Sequence, residues 1–115
     1  MVWPCLYVDG QRTEFRVCIA SSFGSRALGM LRSEGWRRFE VLHLPRCSAV
    51  HTCFVPMPID VLFADRTGRV LKVVASLAPW RIARLSQAES VWELPAGAAK
   101  RCAIEPGVRL QAWLT

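Results

Sequence analysis

The run from Cys47 to Asp65 is strongly apolar and strand-forming, and Pro56-Met57-Pro58 divides it in the middle. Proline cannot donate to a β-ladder, so the joint is excluded from any central strand. Two strands are therefore predicted, over 48–55 and 59–64, each with side chains alternating between two faces. His51, Thr52 and Asp60 sit inside this apolar stretch. A polar group in such surroundings costs free energy unless it is hydrogen-bonded, so each marks either a structural network or a site.

The rest of the chain follows the same short rhythm. A strand over 3–8 meets Asp9-Gly10, a strong hairpin dipeptide, and 15–19 alternates apolar and polar as a half-buried partner. Ser21-Ser22 offers N-caps for a short helix through 26–31, which Gly24 and Gly29 weaken by about 1 kcal/mol each. Strands are predicted over 36–44, 69–77, 91–94 and 108–114, with Asp65-Arg66-Thr67-Gly68 as a turn. Pro79-Trp80-Arg81 opens an irregular loop, and a helical turn or two is predicted over 98–102. Seven to eight short strands with two short helices imply a mainly β, single-domain sandwich or distorted barrel spanning 1–115.

A chain of 115 residues with 52% hydrophobic and 21% charged residues is one folding domain and no disordered tail. Its longest apolar candidate, 70–80, is broken by Lys72 and Pro79, well short of the roughly 18 residues a spanning helix needs. The first ten residues lack a basic leader and meet Asp9 early, so a cytoplasmic location is the expectation. The net charge of +6 comes largely from arginine, with Lys72 and Lys100 the two lysines. The positives form no block, and dispersed charge of this kind tunes solubility more than it makes a site. Five cysteines, an odd number without a Cys-x-x-Cys pair, argue against a disulfide framework and against a zinc ribbon.

Alternation places Cys47, Ala49, His51 and Cys53 on one side of their strand, and Asp60 on the side of Leu62 and Ala64. If both strands belong to one sheet, His51 and Asp60 meet across the pair, and the carboxylate raises the imidazole pKa while lowering its own. Such a pair serves acid–base or binding chemistry in a cleft. It equally serves as a buried hydrogen-bond knot that fixes register, with Thr52 capping a backbone group. His43, Cys47, His51 and Cys53 are ligands zinc accepts, but same-face residues on one extended strand diverge, and no metal site is predicted. Cys53 and His51 lack any oxyanion-hole or nucleophile-elbow signal, and no phosphate loop or dinucleotide fingerprint occurs, so no cofactor is predicted. Trp36-Arg37-Arg38-Phe39 and Trp80-Arg81 with Arg84 combine aromatic faces with guanidinium groups, the ingredients of nucleic-acid contact. Five tryptophans in so small a chain belong more often to core and rim packing, so nucleic acid is not the expected partner. Trp80-Arg81, in a loop, better suits a small anion or a carbohydrate.

The chain resembles the domain of unknown function 192 family. The resemblance rests on Arg26-Ala-Leu-Gly-Met30, Val50-His-Thr52, Pro58-Ile-Asp-Val-Leu-Phe63, Asp65-Arg-Thr-Gly-Arg-Val70, Pro79-Trp-Arg81 and Glu93-Leu-Pro-Ala-Gly97 before Gly107. These pieces occur in the family's order over roughly residues 12 to 114. Many members carry Trp-Met-Lys-Asn-Thr where this chain has His51 to Val55, and the His-Thr form is similar to a variant within the family. Many relatives also carry an export or lipoprotein leader. The resemblance implies a compact β-rich fold with short helices and brings no established reaction, cofactor or partner. Within it, His51, Thr52, Asp60, Trp80, Arg81 and Glu93 are the positions to examine first for ligand binding. The leading reading is a small non-catalytic binding or accessory module with a polar pocket near a buried His51–Asp60 pair, for an anionic or polyhydroxylated ligand. The alternatives are a hydrolase- or lyase-like enzyme using His51 as base with Asp60 as its orienter, and a protein–protein accessory factor of a larger assembly.

Overall fold

A computed structural model of the chain describes residues 4–19, 40–53 and 55–114. The described residues form nine strands: β1 (Cys5–Val8), β2 (Gln11–Ile19), β3 (Glu40–Pro45), β4 (Ala49–His51), β5 (Ile59–Ala64), β6 (Val70–Leu77), β7 (Ile82–Arg84), β8 (Ser90–Pro95) and β9 (Leu110–Trp113). One short helix, α1 (Ala98–Arg101), lies between β8 and β9. The mainly β, single-domain expectation holds, with nine strands rather than seven or eight. The helix predicted near 26–31 and the Trp36-Arg37-Arg38-Phe39 cluster lie outside the described residues.

Seven strands make one mixed sheet in the order β6-β5-β8-β3-β2-β1-β9, and β4 pairs with β7 in a separate two-stranded sheet. All pairings are antiparallel except β2 with β3. Asp9 and Gly10 both take positive φ, 50° and 79°, as a two-residue hairpin of the primed type requires. Gly10 adopts that geometry at no steric cost and aspartate tolerates it, which is why this dipeptide was informative.

β5 is buried at every position, Ile59 to Ala64, and β8 at every position but its last. Central strands covered on both faces read as continuous apolar runs, and this one does apart from Asp60. Leu62 and Ala64 join Val17, Val41, Trp92, Leu94 and Leu110 in one core cluster. Ile59, Val61 and Phe63 join Leu42, Leu44, Val55 and Val91 in a second, against which Val50 of β4 and Ala83 of β7 pack. The large sheet thus separates two cores, and the small sheet covers one of them. Each fully buried aliphatic or phenylalanine side chain contributes about 1.5–3 kcal/mol, so β5 is the most heavily committed of the described strands.

The sheet curls until its two edges touch. Arg69 and Arg109 form an isolated antiparallel bridge. Around it Val70 donates to the Val108 carbonyl, Gly107 to that of Val70 and Leu110 to that of Gly68, each at 2.8 Å. The Arg69 guanidinium adds a bond to the Gly107 carbonyl at 2.7 Å. The seam ends there, and the barrel does not close.

Candidate functional site

The small sheet carries its side chains in two sets. Val50 and Ala83, directly paired, face the second core, while Ala49 opposite Arg84 and His51 opposite Ile82 face outward. The alternation expected from the sequence is therefore present, but it turns His51 to solvent and Val50 and Thr52 inward.

Thr52 is fully buried and organises the adjoining turn. Its hydroxyl donates to the Ala78 carbonyl at 2.7 Å and accepts from the Arg81 amide at 2.8 Å. Its own amide donates to the Arg81 carbonyl, and its carbonyl accepts from the Trp80 amide. These bonds hold Trp80 at φ 63°, a left-handed conformation unusual for an indole side chain. Strain of this kind persists only when the surroundings over-determine it, and it concentrates at functional sites. Trp80 is 58% exposed and Ile82 74%, with Arg81, Arg84 and His51 exposed beside them. Four sequence candidates, His51, Thr52, Trp80 and Arg81, are thus brought together.

Asp60 and Glu93 are not part of that group. Asp60 is 1% exposed on β5. Its Oδ1 accepts from the Ser76 amide at 2.9 Å, and its Oδ2 accepts from the amides of Gly97 and Ala99, each at 3.0 Å. Ser76 lies in a bulge of β6, where the register against β5 slips between Ile59 and Val61, and it takes φ 51°. One carboxylate therefore pins a bulge on one side and the first turn of α1 on the other. Glu93, also buried, sits between Leu42 and Val61 in the ladder.

The expected buried His51–Asp60 pair is corrected accordingly. Its premise was that β4 and β5 share a sheet. They belong to different sheets, and the carboxylate's oxygens are occupied by backbone amides. Thr52 does cap backbone groups, as the structural alternative required.

His43, weighed above only as a residue zinc accepts, pairs directly with Trp92 across β3 and β8. Their rings stack with centroids 3.9 Å apart and 15° between planes. No sequence signal announces this contact, because the register between those strands is not written locally. Burial pushes the His43 pKa down to about 4. Between pH 6.5 and about 4 the unfolded chain binds a proton that the folded chain refuses, so stability falls as pH drops through that window. His43→Phe, which keeps the ring contact, is expected to flatten melting temperature against pH over that range. An unchanged slope would reject the assignment.

Cys47 is buried with its thiol donating to the Ala49 carbonyl at 3.1 Å, and all five cysteines are unbridged. Among the described residues no helix is long and apolar enough to cross a membrane.

Known proteins resemble this arrangement as a fold. A protein of unknown function from Novosphingobium aromaticivorans DSM 12444 has a crystal structure that superposes with a TM-score of 0.79 at 22% identity, covering 93% of this chain and 83% of that one. A Sinorhizobium meliloti 1021 protein, described as a candidate transcription regulator, superposes with a TM-score of 0.78 at 20% identity, covering 97% of each chain. No match was found among curated proteins. The DUF192 family model, described as Uncharacterized ACR, matches residues 5–112. The chain belongs to the DUF192 family.

Proposed function

We propose that the protein is a small non-catalytic binding module that takes an anionic small molecule on the outward face of its small sheet. The observation that carries this reading is that the small sheet presents His51 and Arg84 outward, with exposed Arg81 and the strained, exposed Trp80 in the turn that leads into β7. Guanidinium groups recognise carboxylates and phosphates in a planar, bidentate way. An adjacent indole supplies a flat apolar contact for the remainder of the ligand. Thr52 fixes the turn beforehand, which lowers the ordering cost of binding. On this reading Asp60 and Glu93 support the framework and do not touch ligand.

An enzyme using His51 as base needs Asp60 to orient it, and that carboxylate already serves the amides of Ser76, Gly97 and Ala99. The exposed Ile82 favours a second reading, in which the same face docks on an acidic protein surface.

The test is thermal stabilisation by a panel of sugar phosphates and dicarboxylates. A ligand present at about a hundred times its Kd adds about 2.7 kcal/mol to stability, a readable rise in melting temperature. At least one compound is expected to stabilise the native chain but not the Arg81→Ala/Arg84→Ala double variant. Equal stabilisation of both proteins, or of neither, would remove the proposal.

A further inference from the structure

Beside the seam the large sheet opens into a cleft of about 770 Å3, where β2, β3 and β5 end, β8 begins and β9 runs past. The cleft is lined on the face of the sheet that holds Trp92 and Leu110, across from the small sheet. Small-molecule sites favour the mouths of barrel-like sheets, with volumes of about 300–1,000 Å3.

Three features of its lining point to one class of ligand. The stacked His43 and Trp92 both form part of the wall. Among the described residues, the indole N–H of Trp92 is the one buried side-chain polar atom without a hydrogen-bond partner. Buried donors in native proteins are nearly always paired, so this one wants an acceptor. The neutral imidazole beside it presents one donor and one acceptor.

Charge at the rim is balanced. Arg46 and Arg66 stand against Asp65 and Glu89, so nothing there selects an anion. Asp65 is already engaged, accepting from the Thr67 hydroxyl and from the amides of Thr67 and Arg69. Glu89 and the amide of Gln111 are planar polar groups that suit neighbouring hydroxyls. Trp113, 55% exposed, adds an indole face at the edge. An indole face covers the C–H surface of a sugar ring, while planar polar groups meet its hydroxyls.

We propose that this cleft binds a small uncharged polyhydroxylated ligand of mono- or disaccharide size. The ring lies against Trp113, its hydroxyls meet Glu89 and Gln111, and one hydroxyl oxygen accepts the buried Trp92 N–H as the His43–Trp92 wall parts to admit it. This site is independent of the anion-binding face proposed above, and Trp80 reports on that face separately.

The experiment is a titration of the 15N-labelled full chain with glucose, galactose, mannose, N-acetylglucosamine and maltose. The tryptophan indole N–H signals are followed, with those of residues 80, 92 and 113 assigned through single Trp→Phe variants. At least one sugar is expected to shift the Trp92 and Trp113 signals saturably while leaving Trp80 in place. Trp113→Ala is expected to weaken that binding by up to about tenfold. Glu89→Gln, at an exposed position, provides a second variant that preserves the fold and is expected to weaken binding too. The proposal is overturned if no sugar shifts both signals. It is overturned equally if Trp80 alone responds, or if benzoate shifts them where every sugar is silent.

Discussion

Asp60→Ala is expected to cost about 3–5 kcal/mol of folding stability, since each buried amide donor left without its acceptor costs about 1–3 kcal/mol. The substitution removes a single acceptor group that serves three backbone amides, those of Ser76, Gly97 and Ala99. The Ala99 amide lies in a fully buried bond and has no route to water without opening α1. A domain holds about 5–15 kcal/mol in total, so the variant should sit near the edge of folding. Asp60→Asn should fall between. Its amide oxygen can still receive Gly97 and Ala99, but its NH2 then faces the Ser76 amide, donor against donor. Urea unfolding followed by tryptophan fluorescence would measure the order: native, then asparagine, then alanine. An alanine variant within about 1 kcal/mol of native would contradict the role given to this carboxylate.

The second large effect is expected at Gly68→Ala, with a loss of about 2–4 kcal/mol from left-handed strain and overpacking together. Gly68 takes φ 89°, where an L side chain is disfavoured. A methyl group there would also collide with the carbonyl oxygen of Leu110, a backbone atom that cannot rotate away. The contact is close because Leu110 donates to the Gly68 carbonyl as the seam forms. Relief requires β9 to move off the turn, so hydrogen exchange should speed up first at the amides of Val70 and Leu110. Uniform acceleration across the sheet, or none, would mean the seam is not what the methyl group disturbs. Gly10 makes the control. It also has positive φ, but nothing lies within 4 Å of a methyl group there.

Much of the fold is legible in the residues, and the reasons are local. β5 was bounded at Ile59 and Ala64 because Pro58 and Asp65 punctuate a run that is apolar apart from Asp60. Asp9-Gly10 declared its turn through backbone chemistry alone. β7 was missed: three residues after Pro79-Trp80-Arg81 are too few to show a period, and their partner β4 is equally short. The candidate site divided for a different reason. Of the polar residues singled out in apolar strands, Thr52 and Asp60 are buried and hydrogen-bonded and His51 is exposed, and whether two of them meet depends on which strands share a sheet. That choice is made by the packing of Val50 and Ala83 on the second core, which no local pattern reveals.

Among the described residues, the pieces of sequence that carry the family resemblance turn out to be joined in pairs. Val50-His-Thr52 is tied to Pro79-Trp-Arg81 by Thr52, and Pro58-Ile-Asp to Pro95-Ala-Gly97 by Asp60. Asp65-Arg-Thr-Gly-Arg-Val70 meets Gly107 through Arg69 and Val70. These ties make the resembling pieces parts of one hydrogen-bonded framework.

The pairing of β1 with β9, Cys5 opposite Trp113, sets the order in which the chain can be completed on a ribosome. The β1–β2 hairpin can form soon after it emerges, but its outer rim stays unzipped until Leu110 to Trp113 have been made. An uncovered strand rim is a template for misassembly, and contacts between distant parts of a chain form slowly. Nascent chains stalled before Leu110 should therefore depend on chaperones in a way that chains released after Trp113 do not.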